Sequence, residues 1–208
     1  MTTLLHISAS PRGTGSESLA LAEVFLDAYR DSHPHDRVVH WDLWDGTLPP
    51  FGPTEAGAKM AVFGGDEFDD AQATAWETVE AAFQRFDSAE KYLFSVPMWN
   101  HHVPYILKQF IDVVSQPGMA FSFDPEHGYT GLLRNKKATV VYTSGVYGSG
   151  RGPGFGSDYQ APYLDTWLRW AGIDDISAIE FRPDLVTAEP EADRRAAQAR
   201  ARELAKVF

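Results

Sequence analysis

Strand-length apolar runs alternate with helix-length amphipathic runs along this chain, and that alternation limits the fold more than any other feature. Thr3-Leu4-Leu5-His6-Ile7-Ser8 reads as a short buried strand. Ser16 to Tyr29 reads as a helix with Leu19, Ala22, Leu26 and Tyr29 on one face. Arg37 to Trp41 reads as a second strand. From Asp70 to Phe86 a helix returns, carrying Trp76, Val79, Phe83 and Phe86 at helical spacing. Lys91 to Val96 is a third strand. Tyr105 to Val114 is a helix with Leu107, Phe110, Ile111 and Val114 inward, stopped by Pro117-Gly118. Lys137 to Thr143 is a continuous run rich in β-branched residues, as expected of a strand buried on both faces. Tyr163, Leu164, Trp167, Leu168 and Ala171 mark a helix closed by Gly172. Ile176 to Phe181 is a fifth strand. Glu189 to Val207 closes the chain as a helix, acids in its first turns and bases in its last.

Two segments break the rhythm. Met119 to Leu133 contains an alternating Phe121-Ser122-Phe123 and a turn-like Asp124 to Gly128, which predicts a small hairpin outside the main sheet. Asp45 to Asp66 is rich in Gly and Pro without a clean period and reads as a long surface excursion. The remainder is five strands alternating with five helices in a single domain, residues 1–208. Such alternation implies a parallel sheet with helices on both faces. The simplest order is the flavodoxin-like 2-1-3-4-5, with a ligand crevice at the carboxyl ends of strands one, three and four.

Composition narrows the function classes. The net charge is −11, from 18 basic and 29 acidic side chains, which opposes binding to nucleic acid phosphates or anionic membranes. No apolar run approaches membrane-spanning length, and the N-terminus lacks a signal-peptide pattern, so a cytoplasmic protein is expected. There is no cysteine, which removes thiolate catalysis, disulfides and zinc–cysteine sites. Redox activity, if present, requires a bound cofactor.

The three strand ends at the expected crevice share a character. Strand one runs into Ser8-Ala9-Ser10-Pro11-Arg12-Gly13-Thr14-Gly15-Ser16-Glu17-Ser18, where hydroxyls and helix-start N–H groups suit a single phosphate. Neither the P-loop nor the three-glycine dinucleotide fingerprint fits. Ser16 or Ser18 as a plain helix cap is an equal reading of those residues. Arg12 can offset the charge of Glu17. Strand three runs into Pro97-Met98-Trp99-Asn100-His101-His102-Val103-Pro104, a restricted loop whose Asn100 offers both donor and acceptor to a polar ring edge. His101 and His102 lack a third ligand at metal spacing, so no metal site is expected. Strand four ends in Tyr142-Thr143-Ser144-Gly145-Val146-Tyr147-Gly148-Ser149-Gly150, where hydroxyls and glycine N–H groups again converge on the crevice. His6 reads as a hydrogen-bonded core residue. No hydrolase nucleophile elbow occurs, and no paired carboxylates stand out as a general acid and base.

These stretches resemble the FMN-dependent NADH:quinone oxidoreductases that also reduce azo compounds, within the flavodoxin-like quinone reductase superfamily. The matching residues are Ser8 to Arg12 with Ser16 and Ser18, Pro97 to Asn100 with Val103-Pro104, Leu107-Lys108, Ile111-Asp112, Pro117-Gly118, Phe121, Gly128-Tyr129, Gly131-Leu132 and Val140 to Gly145. The resemblance implies an FMN phosphate at Ser10, Ser16, Glu17 and Ser18. It implies a flavin ring along Met98, Trp99, Asn100 and His101, with Thr143, Ser144, Gly145 and Val146 on its pyrimidine side. It further implies a homodimer, with Phe121, Phe123 and Tyr129 as substrate-binding aromatics near the neighbouring subunit's flavin. A ping-pong cycle follows from it, with NADH or NADPH as donor and a quinone or azo compound as acceptor. Where relatives commonly carry an aromatic residue after the asparagine, this chain has His101 and then His102.

Two other classes fit the same scaffold. A flavodoxin-type FMN electron carrier would suit the acidic charge, although the extra hairpin argues against it. A non-redox nucleotide- or protein-binding protein is also compatible with the fold.

Overall fold

A computed structural model describes all 208 residues. The main sheet holds β1 (Thr3–Ser8), β2 (Arg37–Asp42), β3 (Lys91–Pro97), β6 (Lys137–Thr143) and β7 (Asp175–Phe181), all parallel, in the order β2-β1-β3-β6-β7. Counted within the sheet alone, that is the expected 2-1-3-4-5. Strand pleating sends alternate residues to opposite faces. Leu4, Leu93, Val141 and Ile179 pack under α1 (Glu17–Ser32) and α6 (Pro190–Val207). Their neighbours Leu5, Tyr92, Phe94, Val140 and Tyr142 pack under α3 (Asp70–Asp87), α4 (Tyr105–Val114) and α5 (Ala161–Ala171). Both faces of the central strands are therefore buried, which is why they read as unbroken apolar runs.

The segment from Asp45 to Asp66 departs from expectation. It contains a helix, α2 (Pro53–Gly64), so the chain has six α-helices rather than five. Its ends are well marked. Pro53 opens it, the Gly52 N–H donates to Glu55 Oε2 at 2.7 Å, and Gly65 closes it at φ +72°. Its middle hides it: Gly57 lowers helix propensity, and only Ala58 and Ala61 are buried. Two buried alanines, of which Ala58 packs against Trp76 and Val79 of α3, make no apolar stripe for a period to reveal.

The hairpin forms as expected from β4 (Phe121–Asp124) and β5 (Gly128–Gly131). It docks on the end of α5, where the Leu133 N–H donates to the Ala171 carbonyl at 3.0 Å. A Cβ on Gly131 would lie 2.4 Å from the Ala171 carbonyl carbon, so only glycine permits this approach.

Candidate functional site

The loops leaving β1, β3 and β6 meet at the carboxyl edge of the sheet, joined there by the segment leaving β7. Between them lies a cleft of about 140 Å³, lined by Ser10, Arg12, Ser16, Glu17, Met98, Trp99 and Thr143 together with Ser144, Gly145, Asp184 and Leu185. A second hollow of about 240 Å³ adjoins it, lined by Met98, Asn100, His101, Ser144, Gly145, Val146, Tyr147 and Phe155. Met98, Ser144 and Gly145 border both, so the two are halves of one crevice. A larger hollow of about 310 Å³ lies over Trp41, but its one cation, Arg85, is already bonded to Thr47 and the His40 carbonyl. The strand-end crevice, with its free donors, is the candidate site.

At the β1 end, Ser16 caps α1, accepting the Leu19 N–H at 3.3 Å. The capping reading of this serine therefore holds. Its hydroxyl also shares a 3.1 Å hydrogen bond with that of Ser18, which is fully buried behind it. The N–H groups of Glu17 and Ser18, the first two of the helix, have no protein acceptor. The Glu17 carboxylate pairs with Arg194 of α6. That pairing answers the difficulty of an acid beside an anion site.

At the β3 end, Met98 N–H donates to the Thr143 carbonyl at 2.7 Å, tying the β3 and β6 loops together. Trp99 and His102 then exchange backbone hydrogen bonds of 2.8 and 2.9 Å around Asn100 and His101. Both central residues have positive φ, +48° and +70°, which makes this a tight turn of the I′ kind. Asparagine and histidine are among the few non-glycine residues that enter this region readily. The N–H groups of Asn100 and His101 are left without protein acceptors.

His101 also holds the glycine-rich loop that follows β6. Its Nδ1 accepts the Ser157 N–H at 3.1 Å, and its carbonyl accepts the Tyr159 N–H at 2.9 Å. A neutral ring that accepts at Nδ1 carries its proton on Nε2, and that nitrogen has no protein partner. Gly156, at φ +98°, lies so close that a Cβ there would be 2.7 Å from His101 Cε1. Ser144 donates to the Tyr147 carbonyl and shapes the same loop. The N–H groups of Gly145 and Val146 are unbonded.

His6, beneath the β1 end, is buried, with Nε2 2.7 Å from Ser95 Oγ and Nδ1 3.1 Å from His40 Nδ1. Burial first, and then His40, hold its pKa down at about 3, so it is a neutral core residue as expected.

Of the sequence candidates, Ser10, Ser16, Glu17, Met98, Trp99, Asn100, His101, Thr143, Ser144, Gly145 and Val146 all line the crevice. Ser18 sits behind it. Phe121, Phe123 and Tyr129 are elsewhere, clustered on the hairpin with Trp170. Phe121 is buried there, while Phe123 and Tyr129 are more than half exposed. Sequence reasoning missed Asp184, Leu185 and Phe155, while Tyr147 lies in the run expected after strand four. Asp184 and Leu185 reach the crevice because their N–H groups donate to the Ser144 and Gly145 carbonyls at 2.8 and 3.1 Å. Asp184 is half-buried, and burial followed by the nearby Glu17 raises its pKa to about 6.

A five-stranded parallel sheet in this order, with its polar loops gathered at the carboxyl edge, defines a protein of the flavodoxin-like class. The model of the flavodoxin-like fold family matches residues 2–205. An FMN-dependent NADH:quinone oxidoreductase from Ruegeria pomeroyi is 47% identical over 192 residues, covering 92% of this chain and 94% of the relative. A second from Burkholderia lata, numbered 9, is 38% identical over 211 residues and covers 100% of both chains. Among solved structures, an azoreductase from Bacillus anthracis superposes with a TM-score of 0.91 at 26% identity, covering 100% of both chains. The chain belongs to this flavodoxin-like family of FMN-dependent NADH:quinone oxidoreductases.

Proposed function

We propose that the crevice binds FMN and that the protein is an NADH-dependent oxidoreductase acting on quinones and azo compounds. The observation that carries this reading is the placement of unbonded N–H groups at both ends of one crevice. Those of Glu17 and Ser18 lie at the β1 end, and those of Asn100, His101, Gly145 and Val146 at the other. Such donors, unmatched within the protein, suit a molecule with an anion at one end and a polar ring at the other. The phosphate end is formed by Ser10, Ser16 and the first N–H groups of α1, with Arg12 beside them. Ser18 serves from behind by orienting the Ser16 hydroxyl. The ring end is formed by Met98, Trp99, Asn100 and His101 against Thr143, Ser144, Gly145 and Val146.

When bound, FMN supplies the redox chemistry, taking two electrons from NADH and passing them to the acceptor in a ping-pong cycle. The protein's part is to bind and orient. The N–H groups of Gly145 and Val146 stabilise negative charge on the pyrimidine edge. The unpartnered Nε2–H of His101 is a proton donor at the mouth. The exposed Phe123 and Tyr129, backed by Phe121 and Trp170, form the aromatic face that a second subunit uses beside its own flavin, giving a homodimer. The whole chain acts as one domain, in the cytoplasm where the pyridine nucleotide is available.

The test is direct. Purified protein should be yellow and should oxidise NADH with a quinone, and with an azo dye, without any other protein. Yellow protein without turnover would make it an electron carrier. Protein that is colourless and stays so when FMN is added would end both readings. Running NADH and NADPH in parallel assigns the donor.

A further inference from the structure

We propose that Asp184 is a cofactor-binding residue that enters the flavin complex as the neutral acid, so that a phosphorylated flavin binds together with one proton. The proposal rests on the FMN reading above and concerns a residue that the crevice acquires from β7, outside the three strand ends that define the site.

The geometry sets the problem. Asp184 is fixed by its own backbone, since its N–H is bonded to the Ser144 carbonyl on the far wall of the cleft. Its carboxyl faces the same loop, with Oδ1 3.7 Å from where a Cβ on Gly145 would stand. Three charged groups face it: Arg12 from the loop after β1, Glu17 from α1 and Arg194 from α6. None of the three is bonded to it. Arg194 is committed to Glu17, and of that pair the Glu17 carboxylate is felt more strongly at Asp184 than the guanidinium. The Ser144–Gly145 wall carries no charge. Asp184 is thus the cleft's carboxyl without a cation, and it shares the cleft with the serines assigned to the phosphate.

A phosphate with up to two negative charges entering this cleft meets that carboxylate at short range with little water between them. Like charges so placed do not both ionise. Arg12 is the single uncommitted cation and cannot neutralise both anions. Protonation resolves the conflict and turns a repulsive acceptor into an O–H donor toward the phosphate–ribityl arm. The free protein already leans that way, because burial and Glu17 hold Asp184 at about 6. A bound phosphate raises it further, so flavin binding draws in a proton. By linkage, affinity then falls as pH rises above the free value, by up to about tenfold per pH unit until the bound carboxyl also ionises.

Equilibrium dialysis of the flavin-loaded protein between about pH 5.5 and 8.5 tests this, on wild type and Asp184→Asn, with FMN and with riboflavin. The phosphate's own ionisation is common to both proteins, so the ratio of their FMN dissociation constants isolates Asp184. That ratio should change by about tenfold across the range, with Asp184→Asn the tighter binder at high pH. With riboflavin the ratio should stay flat. Asp184→Ala should also lose the pH dependence, which separates the proton from any fault of the asparagine. Parallel FMN profiles, or a riboflavin ratio with the same slope, would overturn the proposal and leave the FMN reading standing. Weaker FMN binding by Asp184→Asn at high pH would also overturn it, since the ionised form would then be the one that binds. Failure of wild type to hold FMN at any pH would overturn both.

Discussion

The two ends of the crevice are built on different principles. At the ring end the working groups are backbone N–H groups, held by a tight turn whose two central residues lie in left-handed conformations. At the phosphate end the backbone is an ordinary helix start, and side chains set the environment: paired serines, a committed Glu17–Arg194 pair and an uncommitted Asp184. A site of the first kind fails when conformation is disturbed. A site of the second kind fails when charge or protonation changes. Substitutions at the two ends should therefore differ in kind as well as in size.

The largest effect should come from the phosphate end. Ser10→Ala with Ser16→Ala removes two hydroxyl donors to a charged group, about 1.5 kcal/mol each, or roughly 100-fold in FMN affinity. Riboflavin, lacking the phosphate, should weaken by no more than about threefold. Equal losses for the two flavins would erase the distinction between the ends. Loss of the Ser16 cap should also cost about 1 kcal/mol of stability, measurable by denaturant titration.

Asn100→Ala acts on the ring end. It places a residue that resists positive φ at +48° and removes the side-chain amide. Affinity should fall about tenfold, for FMN and riboflavin alike, because the lost geometry serves the ring they share. Asn100→Gly keeps the conformation and should recover part of the loss. Wild-type flavin content and potential in Asn100→Ala would remove Asn100 from the site.

A smaller effect should appear without any flavin. Asp184 has a folded pKa of about 6, above its ordinary value of 3.8. The folded state thus disfavours the charged form: no penalty exists below about pH 4, and it is fully present above about pH 6. Asp184→Asn should stabilise flavin-free protein at pH 8, by on the order of 1 kcal/mol once half-exposure is discounted. The gain should vanish near pH 4. A pH-independent difference in thermal midpoint would place the effect in packing instead of charge.

The difference between the ends also explains what the sequence revealed. The β1, β3 and β6 loops follow buried strands directly, so strand periodicity located them, and the switch-point rule brought them together. Asp184 reaches the crevice only through long-range backbone bonds to Ser144 and Gly145, and no local pattern encodes such a pairing. The turn at Asn100-His101 lies inside a run that was picked out for its prolines, while its conformation depends on a Trp99–His102 pairing that periodicity does not register. Helix α2 was missed for a third reason. Burying only two alanines leaves no apolar stripe, although Pro53, Glu55 and Gly65 are ordinary boundary signals.

His101 belongs to both descriptions, so its substitution gives the finest test. Its ring carries a hydrogen-bonded loop at Nδ1, a conformational role, and presents a proton at Nε2, a charge role. His101→Asn can keep an acceptor for the Ser157 N–H and tolerates positive φ, but it has no ring N–H to present at the Nε2 position. His101→Phe loses both. If the proton matters, both variants should slow acceptor reduction by about threefold, well short of the roughly 100-fold or more of an obligatory proton donor. If the loop matters, only His101→Phe should raise the Michaelis constant for the acceptor, because only there is the 145–160 wall released. Unchanged rates in both variants would confine His101 to shape, and the ring end would then be a purely conformational device.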